Sequence, residues 1–285
     1  MACKLANMGL EVTLIGRGDA PGLWRQQIRQ GQTQRTQPLL IERPESLSRG
    51  QIQGLLVTTK ANQAVDAIAG VATALGPGAP VVLLHNGMGV LEALAEEHPR
   101  MTLLAGSTTE GAYLAGDVLV HAGIGETAIG GNSATPPGWF APFAAGGERF
   151  SWSPDIAAVL WQKLLINCAI NPLTAIHRCA NGELQSDPVL AAEVEHLCAE
   201  LATVSRARTG IGDNATILQS VRGVIAATAA NRSSMLRDVE RGRETEIEHI
   251  NGYLVAEAHR VGVPCPRNKA LLAQVRALDS ASLSN

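Results

Sequence analysis

A lysine and two asparagines stand at regular spacing within an otherwise apolar stretch of the chain, IAAVLWQKLLINCAINPLTAI. Lys163, Asn167 and Asn171 follow one another at i, i+4 and i+8, which places them on one side of a helix. A helix this apolar is buried on most sides, and an unpaired polar group there costs about 1–3 kcal/mol. The three side chains therefore need partners. The partners could be other polar side chains in a network between helices, solvent that the extended lysine reaches, or a bound substrate. Because the three residues share one face, we favour a substrate.

Two carboxylates lie beside an apolar stripe in a later helical segment, SSMLRDVERGRETEIEHINGYLVAEA. Glu244 and Glu246 both flank the stripe, so periodicity does not choose between them. The charged residues of 237–243 are typical of a solvated helix face with pairing at i, i+4. The stripe itself consists of Ile247, Ile250, Leu254 and Ala258.

Polar residues follow three strand-like stretches in the first half of the chain. Arg17, Lys60 and Asn86 each stand just past such a stretch. Ligands of open α/β sheets bind beyond the carboxyl ends of the strands, so these positions predict a nucleotide site. An arginine at this point suits a 2′-phosphate, whereas an acidic residue suits a free ribose hydroxyl. If a dinucleotide binds here, the sequence favours NADP. Each of the three residues taken alone is also typical of an ordinary polar loop.

The elements that must position these residues change character near residue 150. Before it, short apolar strands alternate with helices, which predicts an α/β domain with a doubly wound parallel sheet. The stretch GDVLVHAGIGETAIGG alternates with a period of two and predicts an antiparallel hairpin. We expect a Rossmann-like domain over residues 1–153 and an all-helical domain over 154–285. The predicted helices of the second domain are 155–177, 187–209, 214–228, 232–261 and 267–278.

Composition excludes several classes of function. The 285 residues carry a formal charge of -3, and no basic face suits a phosphate backbone, so nucleic acid is not expected as a partner. Polar residues interrupt the apolar runs before membrane-spanning length, and no membrane partner is expected. The five scattered cysteines form no C-x-x-C pair and indicate a reduced, cytoplasmic protein. The seven histidines show no metal-binding spacing, so no metal is expected.

Several stretches together resemble the ketopantoate reductases, a branch of the 6-phosphogluconate-dehydrogenase-like reductases. They are VTTKANQ, LLHNGMG, LWQKLLINCAINPLTAI, CANGEL and SSMLRDVERGRETEIEHINGYL, in the expected order. The resemblance implies NADPH-dependent reduction of 2-dehydropantoate to (R)-pantoate, a step towards pantothenate, by a monomer or homodimer. Another branched 2-oxo acid as substrate, or a non-catalytic binding or regulatory remnant, are the alternatives.

The resemblance also assigns roles to individual positions. It implies that Lys163 is the general acid and that Glu246, rather than Glu244, is the carboxylate near that lysine and the cofactor. It implies substrate contacts for five polar residues: Asn86, Asn167, Asn171, Asn181 and Ser234. It implies NADPH contacts for six: Arg17, Lys60, Gln63, Asn86, Ala112 and Glu246.

The opening of the chain departs from the family pattern. Family members begin with a strand that leads into G-x-G-x-x-G, whose amides hold a pyrophosphate, and here the match begins inside the following helix. We therefore expect an N-terminally truncated chain, with a strand and a glycine loop encoded upstream of Met1. Without that strand, Glu11–Ile15 and Pro80–His85 are expected to be unpaired edges, and the 285-residue product is expected to express poorly and lack activity.

Overall fold

The computed structural model describes residues 1–16, 21–131, 133–146 and 149–283. Over these ranges the chain divides into two compact units. The first comprises Met1–Thr59, Gln63–His85 and Leu91–Ala157. The second runs from Ala158 onwards and includes two short segments of the first half, Lys60–Asn62 and Asn86–Val90. A single boundary in the sequence, such as the one predicted between residues 153 and 154, does not describe this division.

The first unit is built on short strands arranged in two five-stranded sheets. Its strands are β1 (Thr13–Ile15), β2 (Gly22–Gln30), β3 (Thr33–Glu42), β4 (Leu55–Val57), β5 (Pro80–Leu83), β6 (Thr102–Thr108), β7 (Gly111–Ala115), β8 (Val118–Gly123), β9 (Thr127–Gly130) and β10 (Phe150–Ser153). The helices of this half of the chain are α1 (Ala2–Asn7), α2 (Ala61–Ala69), α3 (Val90–Glu97) and α4 (Ala141–Ala145).

The first sheet has the order β1-β3-β2-β8-β7. β1 runs parallel to β3 and β2 runs parallel to β8, while β2–β3 and β7–β8 are antiparallel. The β2–β3 hairpin turns at Gly31, whose φ of 57° lies in the left-handed region that glycine tolerates. Ile28 and Leu39 of this hairpin pack with Cys3 of α1 in a small apolar core.

The second sheet has the order β10-β9-β6-β5-β4. β4, β5 and β6 are parallel, and α2 and α3 connect them in sequence, as predicted for a Rossmann-like unit. β9 is antiparallel to β6, and β10 is parallel to β9. The strands that were predicted to form one parallel sheet thus belong to two mixed sheets, in which β4–β6 form the run of three consecutive parallel strands.

The hairpin predicted from alternation over residues 116–131 is wrong. β8 pairs with β2 and β7, whereas β9 pairs with β6 and β10 in the other sheet. Gly125 lies between β8 and β9, and a Cβ there would stand 2.3 Å from the carbonyl carbon of Thr109. Two stretches of backbone are therefore in direct contact where the chain passes from one sheet to the other. Alternation identifies strands but not their partners.

The expected edge at residues 80–85 is also wrong. β5 lies between β4 and β6 and pairs with both. In the part of the chain that the structure describes, the outer strands are β1 and β7 in the first sheet and β4 and β10 in the second. The outer strand next to β5 is therefore β4, which precedes Lys60.

The second unit is helical, and the α/β half followed by a helical half confirms the predicted fold class. Its helices are α5 (Ile156–His177), α6 (Glu183–Ser186), α7 (Pro188–Thr209), α8 (Asn214–Ala227), α9 (Ser234–Glu240), α10 (Tyr253–Arg260) and α11 (Pro266–Leu283). Asp187 caps α7 by accepting hydrogen bonds from the amides of Val189 and Leu190, and α7 ends at Gly210 in the left-handed conformation. α5 is long and apolar enough to cross a membrane by length and composition alone, a test that a buried core helix also passes.

The single helix predicted over residues 232–261 is interrupted. α9 ends at Glu240, Gly242 has a φ of 60°, and a π-helical turn over Glu248–Gly252 leads into α10. Between them, the Thr245 hydroxyl donates a 2.7 Å hydrogen bond to Asp279 of α11. The side chains of Glu244, Thr245 and Glu246, which lie in this break, all take partners distant in sequence.

Candidate active site

Helix α5 places the three polar residues identified by their spacing in one continuous helix. Asn171 is 8% exposed, and Lys163 and Asn167 are half-buried. The apolar residues of the same helix, among them Leu164, Cys168 and Leu173, belong to the main core of the second unit. α5 is therefore a core helix with one polar face.

The ammonium group of Lys163 is in an environment that opposes its charge. Burial lowers the pKa of Lys163, and the negative charge of Glu246 acts in the other direction and raises it. A lysine with a lowered pKa gives up its proton more readily than an exposed lysine. The nearby carboxylate keeps the protonated form accessible.

Glu246 is a buried carboxylate, 8% exposed, with a partner on each oxygen. Its Oε1 accepts a 3.2 Å hydrogen bond from the backbone N–H of Ala61, and its Oε2 accepts a 3.0 Å bond from Nδ2 of Asn86. Ala61 is the first residue of α2, so the carboxylate sits at a helix N-terminus, where negative charge is favoured. Glu244, which periodicity left as the alternative, is exposed.

Asn86 is presented by a tight glycine turn. Gly87 and Gly89 have φ values of 81° and 101°, and the N–H of Met88 donates a 2.9 Å hydrogen bond to the carbonyl oxygen of His249. A Cβ on Gly87 would stand 2.5 Å from that same oxygen. The turn thus lies directly on the backbone of the π-helical segment, which orients Asn86 towards Glu246.

Gly87→Ala is expected to destabilise the protein more than Gly78→Ala does. Both glycines have positive φ, 81° and 70°, so both substitutions incur backbone strain of about 1–2 kcal/mol. Only at Gly87 does the new Cβ also overlap His249, because nothing lies within 4 Å of a Cβ at Gly78. Urea unfolding followed by circular dichroism measures both losses. Equal losses in the free energy of unfolding would show that the backbone around His249 shifts to accommodate the new Cβ without an energetic cost.

The two asparagines of α5 have amide groups available to a ligand. Neither Asn167 nor Asn171 has a side-chain hydrogen-bond partner among the described residues. The backbone carbonyl of Asn171 accepts a 2.9 Å bond from the hydroxyl of Thr174, which also donates to Ser233 at 2.7 Å. A polar network between helices was the alternative to a bound substrate for this face. Among the described residues, the two amides do not take part in such a network.

The other predicted substrate residues, Asn181 and Ser234, lie in the same helical unit. Asn181 is buried; its Nδ2 donates to the hydroxyl of Thr228 at 2.8 Å, while its Oδ1 has no partner in the described part of the chain. Ser234 is the exposed first residue of α9, next to Ser233, which caps that helix. The bond from Thr174 to Ser233 places the start of α9 against α5.

The predicted cofactor residues are distributed more widely. Lys60 lies in the second unit, where its ammonium group bonds to the carbonyl oxygen of Glu244 at 2.6 Å and to Asp238 at 2.7 Å. Gln63 and Ala112 lie in the first unit, exposed, on α2 and β7. Arg17 lies outside the described residues.

Asp238 contacts the predicted cofactor residue Lys60 and was not among the site residues predicted from the sequence. It belongs to the charged run 237–243 that was predicted to be a solvated face, yet its side chain is only 14% exposed and is paired with Lys60. That prediction is wrong for Asp238, because a partner distant in sequence covers it. Helical spacing within the run gives no signal of such a partner.

The arrangement combines a proton donor with groups that hold a polar ligand. A buried ammonium beside a carboxylate can stabilise an oxyanion and deliver a proton to it. The amides of Asn167 and Asn171 can bind hydroxyl and carboxylate groups at fixed spacing along α5. This chemistry fits the reduction of a polar carbonyl compound.

Comparison with known proteins decides the family. The model described as "Ketopantoate reductase PanE/ApbA" matches residues 1–133, and the model of its C-terminal region matches residues 155–279. The chain belongs to the ketopantoate reductase family. Membership in the ketopantoate reductases makes it an oxidoreductase, as the resemblance implied.

Individual ketopantoate reductases support this membership. The 2-dehydropantoate 2-reductase of Shigella flexneri is 40% identical over 231 residues, which covers 79% of this chain and 74% of that protein. A solved ketopantoate reductase from Ralstonia eutropha JMP134 is 26% identical, with a TM-score of 0.82 over 99% of this chain and 95% of its own. A ternary structure of D-mandelate dehydrogenase with NADH and anilino(oxo)acetate has a TM-score of 0.87 at 22% identity, covering 99% and 95% of the two chains. This last likeness shows a shared fold.

Proposed function

We propose that this protein reduces 2-dehydropantoate to (R)-pantoate with NADPH, a step towards pantothenate. The observation that carries the proposal is Lys163, whose pKa is lowered by burial and raised by the charge of Glu246, on a helix where Asn167 and Asn171 have no side-chain hydrogen-bond partner among the described residues. Relatives named 2-dehydropantoate 2-reductase at 40% identity support the choice of substrate.

The residues near Glu246 fit a nicotinamide dinucleotide. A dinucleotide presents ribose hydroxyls, which need acceptors and donors, and phosphates, which need cations. The carboxylate of Glu246 and the amide of Asn86 supply the first kind of group, and Lys60 supplies the second. To these we add Arg17, on its position in the sequence alone. Together with Gln63 and Ala112, these are the residues that we assign to NADPH. The bound nicotinamide supplies the hydride.

Lys163 then acts on the substrate oxygen. Negative charge develops on the ketone oxygen during reduction, and the ammonium group stabilises it and transfers its proton to it. The lowered pKa of Lys163 makes this transfer easier than it would be from an exposed lysine. The negative charge of Glu246 opposes part of the effect of burial and so favours the protonated form.

Asparagines and a serine position the substrate. Asn167 and Asn171 follow Lys163 by one and two helical turns, so they can bind the hydroxyl and carboxylate of the substrate while its ketone lies at Lys163. Oδ1 of Asn181, which has no hydrogen-bond partner within the described ranges, is an acceptor for a hydroxyl group. Ser234 and Asn86 complete the proposed set. Such positioning lowers the entropic barrier to reaction.

A direct test compares substrates. Oxidation of NADPH by the purified protein is measured with 2-dehydropantoate and with other branched 2-oxo acids as matched controls. The proposal expects the highest kcat/KM with 2-dehydropantoate. A higher kcat/KM with another 2-oxo acid would favour the alternative substrate. Binding of NADPH with no turnover of any of them would favour a non-catalytic protein.

Arg17→Ala is expected to weaken NADPH binding more than NADH binding. A charge-assisted hydrogen bond to the 2′-phosphate contributes about 1.5–3 kcal/mol, a factor of roughly 10–150 in Kd, and NADH lacks that phosphate. Titration of both cofactors against the two proteins gives the four dissociation constants. If both cofactors lose affinity equally, Arg17 does not read the phosphate. A preference of the unmutated protein for NADH would contradict the assignment of NADP.

A further inference from the structure

Asp238 holds the side chain of Lys60 from helix α9. The distance between Asp238 Oδ1 and Lys60 Nζ is 2.7 Å, and both side chains are largely buried. Lys60 Nζ also donates to the carbonyl oxygen of Glu244 at 2.6 Å. An ammonium group has three donors, and two of them are used in these contacts.

The residues that follow Lys60 are held by the same segment. Nδ2 of Asn62 donates to Oε2 of Glu244 at 2.6 Å. Between Lys60 and Asn62, the N–H of Ala61 donates to Oε1 of Glu246. The three consecutive residues 60–62 are thus attached to the segment 238–246 by four polar contacts. The contact made by Ala61 is the one that orients the Glu246 carboxylate.

Helix α9 is a fixed support for Asp238. Its first turn is capped by Ser233, which is bonded to Thr174 of α5 at 2.7 Å. Leu236 is fully buried, and the carbonyl oxygen of Asp238 accepts a 2.9 Å bond from the N–H of Arg243. The Asp238 carboxylate therefore has a defined position relative to α5, the helix that carries Lys163.

We propose that Asp238 is a positioning residue that, by holding Lys60, fixes the Ala61 amide on Glu246 and so sets the position of the Glu246 carboxylate. The proposal rests on the proposed function, because it concerns the reduction that Lys163 and Glu246 are expected to perform. Asp238 itself does not contact the reacting groups in this account. Its effect passes through Lys60 and the backbone of Ala61.

The test is a double-mutant cycle with Asp238→Ala, Lys60→Met and the double variant. At saturating NADPH and 2-dehydropantoate, each single variant is expected to lower kcat by roughly 10-fold, the effect typical of losing a group that orients a catalytic one. KM for 2-dehydropantoate is expected to stay within about twofold, since its binding groups are unchanged. The double variant is expected to be no slower than the slower single variant, because both changes break the same contact.

Two controls separate positioning from general stability. Glu240→Gln changes a carboxylate on the same helix whose partner is Arg232, and it is expected to leave kcat unchanged. Thermal unfolding of all variants shows whether they are folded and measures the Asp238–Lys60 coupling without any substrate. If the two substitutions are coupled in thermal unfolding but have additive effects on kcat, the proposal is wrong. An unchanged kcat for Asp238→Ala would also overturn it. Absence of turnover by the unmutated protein would instead contradict the proposed function. In that case the unfolding data still test the contact, since additive effects of the two substitutions on thermal unfolding would show that Asp238 and Lys60 do not interact.

Discussion

Lys163→Ala is expected to lower kcat for 2-dehydropantoate reduction by about 10²–10⁴-fold, the range typical of losing a general acid. The substitution removes both the proton and the positive charge that stabilises the developing oxyanion. NADPH binding is expected to change little, because the lysine acts on the substrate oxygen. Steady-state kinetics and NADPH titration check the two statements separately.

Lys269→Ala is the matched control for this substitution. Lys269 is an exposed lysine of α11 in the same helical unit, and its removal is expected to leave kcat unchanged. Thermal unfolding shows whether the Lys163 variant remains folded. Near-normal turnover by a folded Lys163→Ala variant would return this lysine to a structural role.

Glu246→Gln is expected to lower kcat by about 10–100-fold and to change its pH dependence. Burial lowers the pKa of Lys163 and the charge of Glu246 raises it, so glutamine leaves the effect of burial unopposed. Only protonated Lys163 can act as the acid. The decline of kcat with rising pH is therefore expected to begin at a lower pH in the variant than in the unmutated protein.

Glu244→Gln separates this effect from a general loss of negative charge. Glu244 is two residues away and exposed, and its carboxylate bonds to Asn62. The alkaline decline is expected to stay where it is in this variant. If Glu246→Gln also leaves the decline unmoved, the titrating group is not Lys163 and the proposed acid is wrong.

Residues that act within one helix could be predicted from the sequence. The spacing of Lys163, Asn167 and Asn171 predicts one helix face, and α5 carries all three over Ile156–His177. The helical period is a local property, and the apolar residues around it fix which face is buried. The α/β half and the helical half follow from local periodicity in the same way.

Contacts between distant segments could not be predicted in this way. Glu244 and Glu246 are equivalent by periodicity, and the partners that distinguish the buried Glu246, Ala61 and Asn86, lie 185 and 160 positions away. Asp238 looks solvated within its charged run because Lys60 is far away in sequence. The partners of β8 and β9 were missed for the same reason, since strand pairing depends on topology and not on alternation.

The membership of Lys60–Asn62 and Asn86–Val90 in the helical unit limits how this protein can be dissected. A recombinant fragment that begins near residue 154 would contain Lys163 and Glu246 but neither Ala61 nor Asn86. Glu246 would then be a carboxylate without its two donors, and an unpaired buried charge is strongly destabilising. The same holds for chimaeras that join the two halves of different relatives at this point. Exchange between relatives needs compatible residues at 60–62 and 86–90 as well as a compatible junction.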